Sequence, residues 1–255
     1  TSLLNLNPGL MLAITIHIRK MTKTPNSLLR LLQLVSPSSP VGAYAYSQGL
    51  EQAVEWGWIE TEEQLQLWLS GVLRNSILSL DAPVLIRLYK AWEQKDLDQL
   101  LYWNQYLLSC RETKELREEE ELLGRALTRV LITLDLIDLQ TVQSISIKKT
   151  GSTGQNAISY CAAFTCAGTN WEIDLLSLLL GYCWAWSENQ IMAALKLLPL
   201  GQSAGQRVLF ALSETVLREI EPCFAVTDEE ISGSLPGLVH ASAAHESQYS
   251  RLFRS

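Results

Sequence analysis

Histidine is scarce in this chain. There are three in 255 residues, His17, His240 and His245, which leaves few bases to activate a nucleophile. His240 and His245 lie five apart, not at the i,i+4 spacing that sets two imidazoles on one helix face. His245-Glu246 reads as a polar cap before the C-terminal tail. No run of Lys or Arg is long enough to neutralise a row of phosphates, and the formal charge is −7, so nucleic acid is excluded as a partner. The five cysteines (Cys110, Cys161, Cys166, Cys183, Cys223) are an odd number scattered through apolar stretches, which excludes a secreted disulfide framework and reads as reduced, buried thiols. Cys161 and Cys166 do not have the C-x2-C spacing that lets two thiolates reach one zinc. No glycine-rich nucleotide fingerprint is present. Gly201 to Arg207 lacks Gly-Lys-Ser/Thr and follows no strand, and Ser203 reads as a helix cap. The apolar run Gly9 to Ile18 is far shorter than the roughly twenty residues that cross a bilayer. Its basic residues Arg19, Lys20 and Lys23 follow it rather than precede it, unlike a signal peptide. Residues 1–26 are therefore expected to be a poorly ordered N-terminal extension, with Met21 an alternative start and no membrane association.

Apolar residues, by contrast, make up 47% of the chain, enough for a sizeable core. From Ser27 onward they recur at helical spacing, with no series of alternating strands. The expected fold is all-α: a single-domain bundle of roughly eight to ten helices over residues 27–255. Thr61-Glu-Glu-Gln64 is a capping box ahead of a helix expected to run to about Leu80. Asp81 is expected to cap a second helix with Pro83 in its first turn, and Asp96 a third. Glu112 to Ile137 reads as one long helix, and its charge run Arg111 to Glu121 as a solvated face. Asp135 and Asp138 read as helix-end residues, since no third carboxylate completes an oxygen cage nearby. Lys148 to Asn156 is loop by composition, and Ala157 to Ala167 is a small-residue helix that permits close approach. Asp174 caps an almost uniformly apolar segment, Leu175 to Leu198, expected at the bundle centre. A further helix from Ser203 ends near Pro222, and Ser232 to Gly237 is read as loop. The end, Ser250-Arg-Leu-Phe-Arg-Ser255, mixes aromatic and cationic groups with no obvious partner inside the chain, so a frayed tail is expected unless something docks it.

One segment is unusual. In Ser36-Pro-Ser-Ser-Pro-Val-Gly-Ala-Tyr-Ala-Tyr-Ser-Gln-Gly-Leu-Glu51, two prolines and Gly42 impose a rigid turn before a helix starting near Ser47. Tyr44 or Tyr46 is left free to face outward, and an exposed tyrosine on a rigid turn is a good protein anchor. The plainer alternative is that both tyrosines pack on the core.

Here the chain resembles the UreF family of urease accessory proteins. The resemblance rests on Pro40-Val-Gly-Ala-Tyr44, Ser47-Gln-Gly-Leu-Glu51, Arg111-Glu-Thr-Lys-Glu-Leu-Arg117, Glu188-Asn-Gln190, Lys196-Leu-Leu-Pro-Leu-Gly-Gln202 with Gly205-Gln206, and His245-Glu-Ser-Gln-Tyr-Ser-Arg-Leu-Phe253. These blocks run in family order from about Leu28 to Ser255 and leave the first twenty or so residues outside. The resemblance implies an all-α, cytoplasmic homodimer that binds UreD (also called UreH), recruits the GTPase UreG, and docks on apo-urease for nickel insertion. It implies no catalytic residue, and no metal or cofactor held by this chain, nickel and GTP being handled by the complex. Carried over residue by residue, it assigns Tyr44 and Arg251, with Lys196 and Gln202, to UreG recruitment. It assigns Gln248, Tyr249, Ser250, Leu252, Phe253 and Arg254 to a tail that docks on UreD. Two other classes compete: a metallochaperone that binds nickel directly, and a helical enzyme with a pocket near Trp184 and Trp186.

Overall fold

The computed structural model describes residues 25–146 and 158–255. Among these the fold is all-α, without strands. The expected extension lies almost wholly outside the described residues, as does the loop Lys148 to Asn156. The chain opens with α1 (Pro25–Val35), a one-turn 3-10 helix (Ala43–Ala45) and the short α2 (Leu50–Glu55). Next come α3 (Glu62–Val72), a π-helical stretch (Leu73–Asp81) and α4 (Ala82–Gln94), followed by α5 (Leu97–Cys110), α6 (Lys114–Thr133) and α7 (Leu139–Ile145). The second half holds α8 (Tyr160–Asn170), α9 (Leu175–Leu197), α10 (Gln202–Glu219), 3-10 turns Glu221–Phe224 and Asp228–Glu230, and α11 (Pro236–His245).

Side-chain caps set most of these starts. Thr61 and Gln64 form the reciprocal capping box of α3. Asp96, Thr113, Asp138, Ser159 and Asp174 each accept an N–H of the following turn. At two starts the expected cap does not act as one. α10 is preceded by Gly201 with no side-chain cap, so Ser203 lies inside the helix. The chain also does not break at Asp81: Glu62–Gln94 is one continuous rod of 33 residues, and Asp81 has helical torsions and caps nothing. The Ala82 N–H reaches back to the Ile77 carbonyl, an i to i−5 bond, directly before Pro83, which has no N–H to offer. Counting that rod once, the described residues hold ten helices.

The rod is long and apolar enough to cross a membrane by composition, but 67% of its apolar window is buried against the other helices. It is one of the buried helices of the bundle, as is α9, the segment expected at its centre. α8 lies between α4 and α6, and α9 packs on α1, α2 and α10. A glycine of α6 allows the close approach at the start of α8: a Cβ at Gly124 would collide with the Ile158 carbonyl and the backbone of Ser159. The last helix, α11, is not expected from the sequence, where Ser232 to Gly237 reads as loop, His245 as a polar cap, and no helix is assigned between them. It packs on α2 and α6 and carries the chain end back across the bundle.

Candidate functional site: the turn, the tail and the charged interior

Backbone geometry sets the turn first. Gly42 (φ 80°), Gln48 (φ 52°) and Gly49 (φ 77°) all have left-handed torsions, which glycine adopts without penalty. At Gly49 there is also no room for a side chain, since a Cβ would lie 3.0 Å from the Ser242 nitrogen of α11. The turn is thereby pinned to α11, and α2 begins at Leu50 rather than Ser47. Of the two tyrosines one is outside and one inside: Tyr44 is 56% exposed and Tyr46 is buried. The Asn189 side-chain amide donates to the Ala43 carbonyl at 2.7 Å, tying the turn to α9.

The C-terminal tail is docked on its own chain, which corrects the expectation that it lacks an internal partner. The Arg254 N–H donates to the Ala45 carbonyl (2.8 Å), and the Ser47 N–H to the Ser255 carbonyl (2.7 Å). The Leu252 and Phe253 N–H groups both donate to the Glu51 carboxylate, at 2.7 and 2.9 Å. Phe253 is buried, with the Lys196 ammonium 5.3 Å from its ring centroid. Ser255 Oγ donates to Glu119 Oε2 at 2.9 Å. Tyr249 is fully exposed and Leu252 is 62% exposed. Two segments about 200 residues apart thus form one rim, which presents Tyr44, Tyr249 and Leu252 and tucks Tyr46 and Phe253 underneath.

Arg251 Nη1 pairs with Glu115 Oε1 at 2.8 Å, and its other nitrogens donate to the Glu246 and Gln248 carbonyls. Lys196, Gln202, Ser250 and Arg254 are exposed and Gln248 is half-buried. Every expected partner-binding residue except Gln202 therefore belongs to the rim or bonds to it. Gln202 opens α10 with no contact to the tail among the described residues.

Beneath the rim half of the charge run Arg111 to Glu121 faces inward: Glu112, Lys114, Arg117 and Glu118 are exposed, as a solvated face requires, but four other glutamates are not. Glu115, Glu119, Glu120 and Glu121 are all buried. Arg111 supplies much of the compensation. It holds Asp81 with two parallel bonds (2.9 and 3.0 Å) and Glu120 with a third (2.7 Å). Burial works against charge on this arginine, but Asp81 and Glu120 keep its pKa well above the usual value, so the guanidinium stays charged, while burial raises the Asp81 carboxyl against the charge and hydrogen bonds of Arg111 and Tyr182. Tyr182 donates to Asp81 Oδ2, and the Cys161 N–H to Glu120 Oε1. Glu119 lacks such a cation. Burial raises its pKa to about 7 against hydrogen bonds from Gln48 and Ser255. These groups line a cavity of about 80 Å3 that opens toward the turn.

His245 is fully buried, not a surface cap. Its Nδ1 lies 2.8 Å from Glu115 Oε2 and its Nε2 lies 3.3 Å from Glu51 Oε2. His240, by contrast, stacks on Trp56 at the surface. All five cysteines are free; burial pushes Cys223 up to about 11 and Cys166 up to about 12, so these thiols are protonated and unreactive. Trp186 is held by Gln48 at the cavity, whereas Trp184 lines a separate open groove with residues of α1. Among the described residues no group of three or more His, Cys, Asp or Glu could hold a metal ion.

Fold and site together define an all-α protein whose interior charges fix its own segments and whose exposed aromatic and apolar side chains stand on a rigid rim. Comparison with known sequences agrees. The profile of the UreF family matches residues 59–213, between turn and tail. The urease accessory protein UreF of Alkalilimnicola ehrlichii is 45% identical, over 89% of this chain and 95% of that protein. That of Teredinibacter turnerae is 44% identical over 90% and 99%, and that of Chromohalobacter salexigens 41% over 91% and 96%. The chain belongs to the UreF family of urease accessory proteins.

Proposed function

We propose that this chain is a non-catalytic adaptor in urease maturation, bridging UreD (UreH) and the GTPase UreG so that nickel is inserted into apo-urease in a GTP-dependent step. Family membership supports the pathway, the relatives being urease accessory proteins by name. The observation that carries the adaptor reading is the single rim. Tyr44, which the family resemblance assigns to UreG, and Tyr249 and Leu252, which it assigns to UreD, are exposed on two segments that backbone hydrogen bonds tie together. Rigid exposed tyrosine and arginine side chains are the commonest anchors of protein interfaces. Arg251 and Lys196 support the rim from below, one through Glu115 and the other over Phe253. Nickel and GTP are cargo and fuel of the assembly rather than ligands of this chain, and the working form is a cytoplasmic homodimer.

Co-purification tests this. The chain should elute with UreD and UreG in one complex, and equilibrium dialysis of the isolated chain against Ni2+ should show no tight stoichiometric binding. Tight binding by the isolated chain would favour a direct nickel carrier instead.

A further inference from the structure

Three buried groups hold the tail, and their protons must be accounted for. Glu51 on α2 accepts the Leu252 and Phe253 N–H groups and faces His245 Nε2. Glu115 on α6 faces His245 Nδ1 and pairs with Arg251 of the tail. A carboxylate accepts and does not donate, and a neutral imidazole has one N–H only. Both ring nitrogens can bond to carboxylates at once only when both carry hydrogen, that is, as imidazolium. Charge balance gives the same answer: Glu51 and Glu115 supply two negative charges, Arg251 and imidazolium two positive ones, in a site where His245 is fully buried.

We propose that His245 is a proton-controlled latch for the C-terminal tail. With both nitrogens protonated it clamps Glu51 and Glu115 in the positions that receive Leu252, Phe253 and Arg251; loss of one proton turns a lone pair toward a buried carboxylate and loosens the tail. Docking is then tighter on the acid side of the histidine titration and weaker on the alkaline side. Other charges near the ring do not replace this role. Glu246, next on α11, accepts the Lys114 N–H at the start of α6. His240 faces Trp56 away from the site. Glu119, one turn along α6, meets the tail through Ser255, and burial raises its pKa to about 7, so it is the control group for the test. The latch stands whichever partner takes the tail.

The test uses the full chain labelled with 15N, following the His245 ring nitrogens and the exchange protection of the Leu252 and Phe253 amides, corrected for intrinsic rates, from about pH 5.5 to about pH 8.5. The expected result is an imidazolium at the acid end and a fall in protection of about tenfold in step with its deprotonation. His245→Gln should give low, pH-independent protection, and Glu119→Gln should keep the pH dependence. A neutral ring at the acid end, or protection unchanged across the ring titration, overturns the proposal even if His245→Gln fails to fold. Loss of the pH dependence in Glu119→Gln would assign the switch to Glu119 and overturn it too.

Discussion

Arg111 and Asp81 form a buried bidentate pair, Nη1 to Oδ1 at 2.9 Å and Nη2 to Oδ2 at 3.0 Å, joining the end of α5 to the middle of the rod. The same arginine holds Glu120, whose other oxygen accepts the N–H of Cys161 on α8. Three helical elements therefore meet on one guanidinium. Arg111→Ala leaves two buried carboxylates without their cation and is expected to cost about 3–5 kcal/mol. Urea unfolding measures it, and a loss below about 1 kcal/mol would mean that the site rehydrates freely.

Glu119 gives a pH prediction of definite sign. Its folded-state pKa of about 7 lies above the ordinary 4.5, so its contribution is fully present below about pH 4.5 and is lost as pH rises through 7. Glu119→Gln removes that loss. The variant should gain on the native chain between about pH 5 and about pH 8, by up to a few kcal/mol. Melting temperatures at both pH values check this, and an equal difference at each would contradict it.

Two glycines on exposed and packed helix surfaces should respond oppositely. Gly124→Ala drives a methyl group into the Ile158 carbonyl and should cost about 3 kcal/mol or more. Gly71, on α3, has nothing within 4 Å of its absent Cβ, so Gly71→Ala should stabilise by about 0.5–1 kcal/mol. Denaturant midpoints of the pair read out both signs.

The tail is a structural part of the free molecule, so its removal is not neutral. Deleting Tyr249 to Ser255 uncovers the Phe253 site and removes the tail's hydrogen bonds to Ser47 and Glu51, and should lower stability by about 2 kcal/mol or more. Single changes on the rim separate binding from folding. Tyr44→Ala should weaken UreG recruitment while changing stability by at most about 1 kcal/mol. Arg251→Ala should weaken it too, but it also leaves the buried Glu115 without its guanidinium partner and loosens the tail, at a cost of about 1–3 kcal/mol. Scanning calorimetry beside a pull-down with UreG checks both. A large stability loss in Tyr44→Ala would mark it as core.

The helices were legible because their starts carry chemistry in the sequence: Thr61, Asp96 and Asp174 cap as their spacing implies. Asp81 looks the same on paper, but its carboxylate goes to Arg111 and Tyr182, and tertiary pairing overrode local capping. The inward turn of the α6 charges had a signal in the spacing. The buried stripe Leu131, Leu127, Leu123, followed back by fours, reaches Glu119 and Glu115. Residue type pointed to solvent while periodicity pointed to the core. Nothing local marks His245 as buried or the tail as docked. Those contacts join residues about 130 to 200 positions apart, and only the path of α11 creates them.

The central claim is that the exposed rim of turn and tail is the docking surface. The direct measurement is size-exclusion co-elution of UreD and UreG with this chain carrying Tyr44→Ala, Tyr249→Ala and Leu252→Ala together. The account predicts an unchanged melting temperature and loss of the ternary complex. A complex formed at undiminished yield by that variant would contradict it.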